Sequence, residues 1–163
     1  MKISIWDTAG QETYRAVTRS YFRSSSAALI VFDITRRKTF ENATSWLHDL
    51  RQIAEEDIVV VLVGNKSDLS ANRQVTGEEA EKWCKQNKVM QYVETSAKSG
   101  EGVERAFLEL TERIYQNIEA GKYDLSDKRS GVKVAGAGGG NKTLSLSGNG
   151  ANGSKTGAAG GCC

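Results

Sequence analysis

The chain has 163 residues, of which 39% are hydrophobic and 26% are charged, values that are ordinary for one globular domain with a tail. No apolar run reaches the 18 residues of a membrane-spanning helix, and the single histidine, His48, excludes His-based triads and multi-His metal sites. The net charge of +2 divides into −2 for residues 1–121 (16 basic, 18 acidic) and +4 for residues 122–163 (6 basic, 2 acidic), which does not predict a nucleic-acid binder.

Four short segments have the composition of β-strands. The first covers residues 2–7 and lacks the layout of a signal peptide, which predicts a cytosolic protein. Residues 27–33 and 58–64 are almost entirely apolar, as strands buried on both faces are. Residues 90–94 are predicted to form a shorter fourth strand.

Apolar residues recur at helical spacing between and after these strands. One stripe covers residues 40–54, a second follows a capping box at residues 76–79, and a third covers residues 103–114. Strands that alternate with helices predict an α/β fold with a parallel sheet flanked by helices.

The last part of the chain has a different composition. Residues 122–163 contain most of the 17 glycines and only scattered larger apolar residues, so this tail is predicted to be disordered and the domain to cover residues 1–121. The chain ends in Cys162-Cys163, while Cys84 lies in a helical pattern that predicts a reduced, buried thiol. Three cysteines placed in this way do not predict a disulfide framework.

Polar residues follow each predicted strand. In a parallel sheet, ligands bind beyond the carboxyl ends of the strands, so residues 7–10, 33–35, 65–68 and 95–98 are expected to meet at one edge.

The first of these segments suits phosphate chemistry. Asp7 can hold Mg²⁺, often through water, because this cation prefers carboxylate and water oxygens. Gly10 lets its backbone N–H approach a terminal phosphate without interference from a Cβ atom. Gln11 beside it can orient an attacking water. An ordinary turn is the alternative interpretation of these residues.

Two of the other three segments, residues 65–68 and 95–98, suit guanine. The Asp68 carboxylate can accept hydrogen bonds from N1–H and the exocyclic amine of guanine, a donor pair that adenine lacks. The Lys66 stem can cover the base, Asn65 can connect neighbouring loops, and the Ala97 N–H in Ser96-Ala97-Lys98 can reach guanine O6. Polar loops without a ligand remain the alternative interpretation.

Because three weak motifs each follow a strand in the expected order, the chain resembles the Ras superfamily of small GTPases, with an incomplete P-loop NTPase-type sheet. Within it, Ile5 to Glu12, Tyr14 to Arg23, Ala28 to Thr35 and the terminal cysteine pair resemble the Rab family. The resemblance covers the body of the chain, from Lys2 to about Gly121.

The resemblance implies GTP binding and hydrolysis with Mg²⁺ and a monomeric switch in vesicle trafficking. Residues 11–23 would be the switch II segment, which orders around GTP and relaxes with GDP. The implied partners are effectors, an exchange factor, a GTPase-activating protein, a dissociation inhibitor and an escort protein. Double geranylgeranylation of Cys162 and Cys163 would attach the protein reversibly to the cytosolic face of endomembranes, since stable anchoring needs two signals.

The sequence departs from the family at its beginning. It contains no Gly-x-x-x-x-Gly-Lys-Ser/Thr phosphate loop, and it starts at what would be the third strand, after switch I. Weak guanine affinity is therefore expected, because only the base contacts remain without the phosphate loop. Low stability is expected as well, because two apolar strand edges lose the strand between them.

Three explanations remain open for this departure: an incomplete gene model, a catalytically silent decoy that binds Rab regulators or effectors, and a non-functional fragment. GTP hydrolysis that is abolished by Gln11→Leu would argue against the decoy.

Overall fold

The computed structural model of the chain describes residues 2–8, 10, 12–123 and 132. Strands and helices alternate along it, because apolar strand sequences and amphipathic helical sequences alternate. The strands are β1 (Ala27–Asp33), β2 (Val59–Asn65) and β3 (Gln91–Thr95), and the helices are α1 (Arg15–Phe22), α2 (Arg37–Ile53), α3 (Gly77–Gln86) and α4 (Val103–Glu119). Two 3₁₀ helices cover Glu12–Tyr14 and Ser67–Asn72.

The three strands form one parallel sheet in the order β1-β2-β3. The central strand β2 is buried at every position except Asn65, which is half-buried. Its continuous valine-rich sequence fits this environment, since such a strand is covered on both faces. The predicted α/β fold with a parallel sheet is confirmed.

Side chains alternate between the two faces of the sheet, and each face has its own apolar core. On one face, Phe32 and Leu62 pack with buried residues of α2 and α3. On the other face, Val61 and Val93 pack with the buried stripe of α4. The helical stripes predicted from the sequence are therefore the faces that cover the sheet, and their buried residues are Phe40, Ala43, Leu47 and Leu50 of α2, Ala80 and Cys84 of α3, and Ala106, Leu110 and Ile114 of α4.

The predicted strand at residues 2–7 is wrong. These residues have no regular secondary structure, and the side chains of Ile5 and Trp6 are each 68% exposed. A strand needs a neighbour to pair its backbone groups, and within the described residues no strand lies beside this segment. The segment instead lies close to α1, with the ring centroids of Trp6 and Tyr21 5.2 Å apart.

Two local predictions can be compared with the described residues. Thr76 caps α3, because its Oγ1 accepts a hydrogen bond from the Glu79 N–H at 3.2 Å, as the capping box predicts. Strands β2 and β3 each lie one residue later than predicted, which makes Asn65 and Thr95 strand residues.

The helices in the described part of the chain are all too short or too polar to cross a membrane.

Candidate functional site

The carboxyl ends of the three strands bring the predicted loops together. The parallel register pairs Asp33 with Asn65 and Asn65 with Thr95, so all three strands end side by side. The loops that follow them therefore leave the sheet at one edge, where the topology of such sheets places ligands.

Asn65 connects the loops after β2 and β3. Its Oδ1 accepts hydrogen bonds from the backbone N–H of Lys66 at 2.8 Å and of Ala97 at 3.1 Å. The Thr95 hydroxyl lies 3.4 Å from the same oxygen. Because Oδ1 is occupied in this way, the amide Nδ2 is the part of the side chain that can donate to a ligand.

A second link joins the same two loops. The Ser96 hydroxyl, which is fully buried, donates to Asp68 Oδ1 at 2.6 Å and accepts from the Ser99 N–H at 3.2 Å. Asp68 itself is exposed. An ionised carboxylate has about four acceptor positions on its two oxygens, so Asp68 keeps the capacity to accept two further hydrogen bonds.

The Lys66 side chain extends from the loop after β2 to Asp33 at the end of β1. Its backbone has φ 70° and ψ 39°, the left-handed region that few non-glycine residues adopt. Its ammonium group lies 2.7 Å from Asp33 Oδ2. Asp33 Oδ1 accepts from the Thr35 N–H at 2.8 Å and from the Thr35 hydroxyl at 2.6 Å.

Sequence reasoning placed Asp33 and Thr35 at this edge but gave them no part in the site. The available signal was the position of Asp33 at the end of β1, since strand ends were expected to meet. What the sequence did not indicate is that the Lys66 side chain reaches Asp33 and is held there.

The Asp33–Lys66 ion pair is expected to make stability depend on pH. Burial alone would raise the pKa of Asp33, but hydrogen bonds from Lys66 and Thr35 outweigh it and hold that pKa below its ordinary value. The stabilisation is present above the unfolded-state pKa and is lost as the pH falls through the lowered folded-state pKa. Asp33→Asn should therefore cost about 1 kcal/mol at pH 7 and less at pH 2.5, which lies below the ordinary pKa of 3.8.

Urea unfolding of wild type and variant at both pH values measures this difference. Asp57→Asn, which changes an exposed carboxylate in the loop before β2, is the control for the loss of one surface charge. A cost for Asp33→Asn that stays equal at pH 7 and pH 2.5 would contradict the ion-pair interpretation.

Asp7 and Gly10, the two predicted phosphate-side residues that the structure describes, make no hydrogen bond or ion pair with this cluster. Asp7 and Gly10 are exposed, and a Cβ atom built on Gly10 would have no neighbour within 4 Å. Lys98 is exposed as well. Gln11, Cys162 and Cys163 lie outside the described residues, as does nearly all of the tail predicted to be disordered.

The described residues do not by themselves fit a Mg²⁺ centre. Among them, no group of three or more His, Cys, Asp or Glu side chains is arranged to hold a metal. Asp7 offers one exposed carboxylate, which is fewer protein ligands than a self-sufficient site needs. The assignment of Mg²⁺ to Asp7 stays a prediction.

The residues predicted to contact guanine, Asn65, Asp68 and Ala97, have groups that fit this ligand. Asp68 presents a free acceptor surface, Asn65 has an available amide donor, and Ala97 supplies a backbone N–H. That N–H already donates to Asn65 Oδ1, so a guanine O6 would share this hydrogen with the asparagine or displace it.

The sheet has helices on both faces and polar loops at the carboxyl ends of its strands, which is the architecture of an α/β protein. Proteins of this class bind ligands at that edge. A family model described as the Ras family matches residues 1–116. The chain therefore belongs to the Ras family of small GTPases. Proteins of this family bind guanine nucleotides together with Mg²⁺ and interact with regulators and effectors.

Proposed function

We propose that the chain is a Rab-type small GTPase that recognises guanine with the loops after β2 and β3. The proposal is carried by one observation, the pair of hydrogen bonds that fixes these loops to each other, Ala97 N–H to Asn65 Oδ1 and Ser96 Oγ to Asp68 Oδ1. A site that is organised before its ligand arrives loses less conformational entropy on binding.

In this proposal, each residue contributes one type of contact. The Asp68 carboxylate accepts from N1–H and the exocyclic amine of guanine, which selects against adenine. The Asn65 amide and the Ala97 N–H donate to acceptors on the other edge of the base. The Lys66 stem covers one face of the ring, and Asp33 holds its ammonium group in place.

The phosphate side of the proposal concerns Asp7, Gly10 and Gln11. Gly10 would present its N–H to the terminal phosphate, and Gln11 would orient the water that attacks it, so that GTP gives GDP and phosphate. Asp7 would face the Mg²⁺ that accompanies the nucleotide in this family.

The cellular part of the proposal is a switch in vesicle trafficking, attached to endomembranes through lipids on Cys162 and Cys163. It is supported by the Rab-like sequence of residues 5–23 and by the adjacent terminal cysteines. Two lipid chains would give stable attachment, and the +4 charge of residues 122–163 would add a small attraction to anionic lipids. Rab regulators and effectors are the proposed protein partners.

Asp68→Asn tests the base-recognition step. The asparagine keeps the shape of the side chain but loses a charged acceptor, and each hydrogen bond to a charged group contributes about 1.5–3 kcal/mol. The full chain should bind GDP more tightly than ADP, and the variant should lose roughly tenfold or more in GDP affinity while its weak ADP affinity stays unchanged.

Equilibrium titration with fluorescent GDP and competition by ADP measures both affinities. Asp57→Asn, at an exposed position away from the edge, is the matched control and should bind GDP as the wild type does. Equal binding of GDP and ADP by the wild type, or an unchanged GDP affinity in Asp68→Asn, would refute the proposed base recognition.

A further inference from the structure

A bidentate ion pair links the 3₁₀ helix that carries Asp68 to strand β3. Arg73 follows this helix directly, and its two terminal nitrogens lie 2.7 and 2.8 Å from the two carboxylate oxygens of Glu94 on β3. The side chains are 24% and 33% exposed, so the pair is partly screened from water. Two parallel N–H···O bonds fix orientation as well as distance, which a single bond does not.

Further contacts hold each partner of this pair in place. The Tyr92 hydroxyl donates to Glu94 Oε1 at 2.8 Å, and Arg73 donates to the carbonyl of the fully buried Val75 at 3.2 Å. Gly64 on β2 provides the space for the Tyr92 ring, because a Cβ atom there would lie 2.9 Å from Tyr92 Cε2 and closer still to the hydroxyl. Both side chains of the ion pair are therefore held in place by contacts with residues of β3 and of the segment that follows Arg73.

The ion pair connects the two segments that carry the candidate guanine contacts. Residues 67–73 include Asp68 at one end and Arg73 at the other, while Glu94 and Ser96 lie two residues apart at the end of β3. The two segments are thus joined at two points, Asp68 to Ser96 and Arg73 to Glu94. One link leaves a segment free to rotate about it, whereas two links fix its orientation.

We infer that Arg73 and Glu94 form a brace that sets the position of the Asp68 carboxylate relative to the Ala97 N–H, and that Arg73 is a positioning residue for guanine recognition. The inference rests on the proposed function, since it concerns the same site. Within the described residues, neither partner hydrogen-bonds to Asn65, Asp68 or Ala97, so the brace acts through the backbone.

The charges favour the paired state at neutral pH. The hydrogen bond from Arg73 holds the pKa of Glu94 below its usual value, against the opposing effect of burial. Among the residues that the structure describes, the other charged or titratable group in contact with Glu94 is the Tyr92 hydroxyl, whose pKa is raised by burial and by its bond to Glu94. The brace therefore stays ionised and closed over the neutral pH range.

Arg73→Gln is the decisive variant, because it removes the guanidinium fork and keeps a polar side chain. The readout is the ratio of GDP to IDP affinity, since IDP lacks the exocyclic amine that a correctly placed Asp68 would bind. The wild type should prefer GDP, and Arg73→Gln should lose roughly fivefold in GDP affinity. Its IDP affinity should fall less, because IDP makes only the N1–H contact to Asp68, so the preference for GDP should decrease. The double variant Arg73→Glu/Glu94→Arg should restore part of the preference.

Arg37→Gln provides the matched control. It breaks a comparable bidentate pair, Arg37 with Glu79, which joins α2 to α3 and contains neither Arg73 nor Glu94. A weaker contact of Arg37 with the Gln74 carbonyl, at 3.4 Å, is lost as well. An equal loss of the GDP preference in Arg37→Gln, or an unchanged preference in a folded Arg73→Gln, would overturn the brace.

Amide hydrogen exchange gives a second readout that needs no nucleotide. The Ala97 and Ser99 N–H groups donate to the side chains of Asn65 and Ser96, so both should exchange several-fold faster in Arg73→Gln while β2 keeps its protection. If Arg73→Gln does not fold, Arg73→Lys, which keeps the charge but not the fork, takes its place. Unchanged exchange at both amides would refute the brace. Equal GDP and ADP binding by the wild type would refute the proposed function, and with it the role of Arg73 in guanine recognition, but not the structural link between the two segments.

Discussion

Gly102→Ala is expected to destabilise the chain by about 3 kcal/mol. Gly102 lies directly before α4 with φ +71°, and an L-residue in this left-handed conformation costs about 1 kcal/mol. The added Cβ would also overlap the carbonyl oxygen of Glu94 and lie 3.2 Å from its carbonyl carbon. These are backbone atoms that cannot rotate away, so overpacking adds about 2 kcal/mol.

The site should be affected together with stability. The backbone that the new methyl group pushes leads directly into Ser96, whose N–H donates to the Glu101 carbonyl at 2.9 Å. A displaced end of β3 would weaken the Ser96–Asp68 bond, and the GDP affinity should fall with the free energy of unfolding.

Gly100→Ala separates the cost of the left-handed backbone conformation from the cost of the steric overlap with Glu94. Gly100 also has a positive φ, +83°, but a Cβ there would meet nothing within 4 Å. This variant should lose only the roughly 1 kcal/mol that the left-handed conformation costs. Urea unfolding followed by circular dichroism measures both variants, and a loss for Gly102→Ala no larger than that for Gly100→Ala would contradict the clash with Glu94.

The sequence predicted the central part of the fold because the signals there are local. The apolar runs of β1 and β2 predict strands, and the stripes of α2 and α4 repeat at helical spacing. The expected burial on both faces is confirmed for β2 but wrong for β1, where Val31 is 56% exposed. Strand ends that meet at one edge follow from parallel topology, so Asn65, Asp68 and Ala97 could be grouped without coordinates.

The predictions that depend on distant partners were harder to make. Residues 2–7 have a strand-like sequence, but a strand exists only where a neighbour accepts its hydrogen bonds, and composition does not reveal that neighbour. The Arg73–Glu94 pair joins residues 21 positions apart, and the Asp33–Lys66 pair joins the ends of two strands. Such pairs are set by tertiary geometry, for which an isolated sequence has no periodic signal.

Phe32→Ala is expected to destabilise the chain at least as much as Gly102→Ala, because it removes a buried side chain from the core. The Phe32 side chain is 2% exposed, and its ring centroid lies 5.0 Å from that of Phe40 and 6.1 Å from that of Tyr92. Removing a buried ring leaves a cavity that the surrounding sheet and helices close only in part, which costs about 3–5 kcal/mol. The free energy of unfolding in urea should fall by that amount.

Val31→Ala is the matched control on the same strand. Val31 precedes Phe32, points to the opposite face of β1 and is 56% exposed, so its truncation should cost less than about 0.5 kcal/mol. The difference between the two variants follows from the alternation of side chains along β1, because one face carries the packed core and the other remains accessible. Similar losses for both variants would mean that β1 does not have the register with β2 that pairs Phe32 with Gly64.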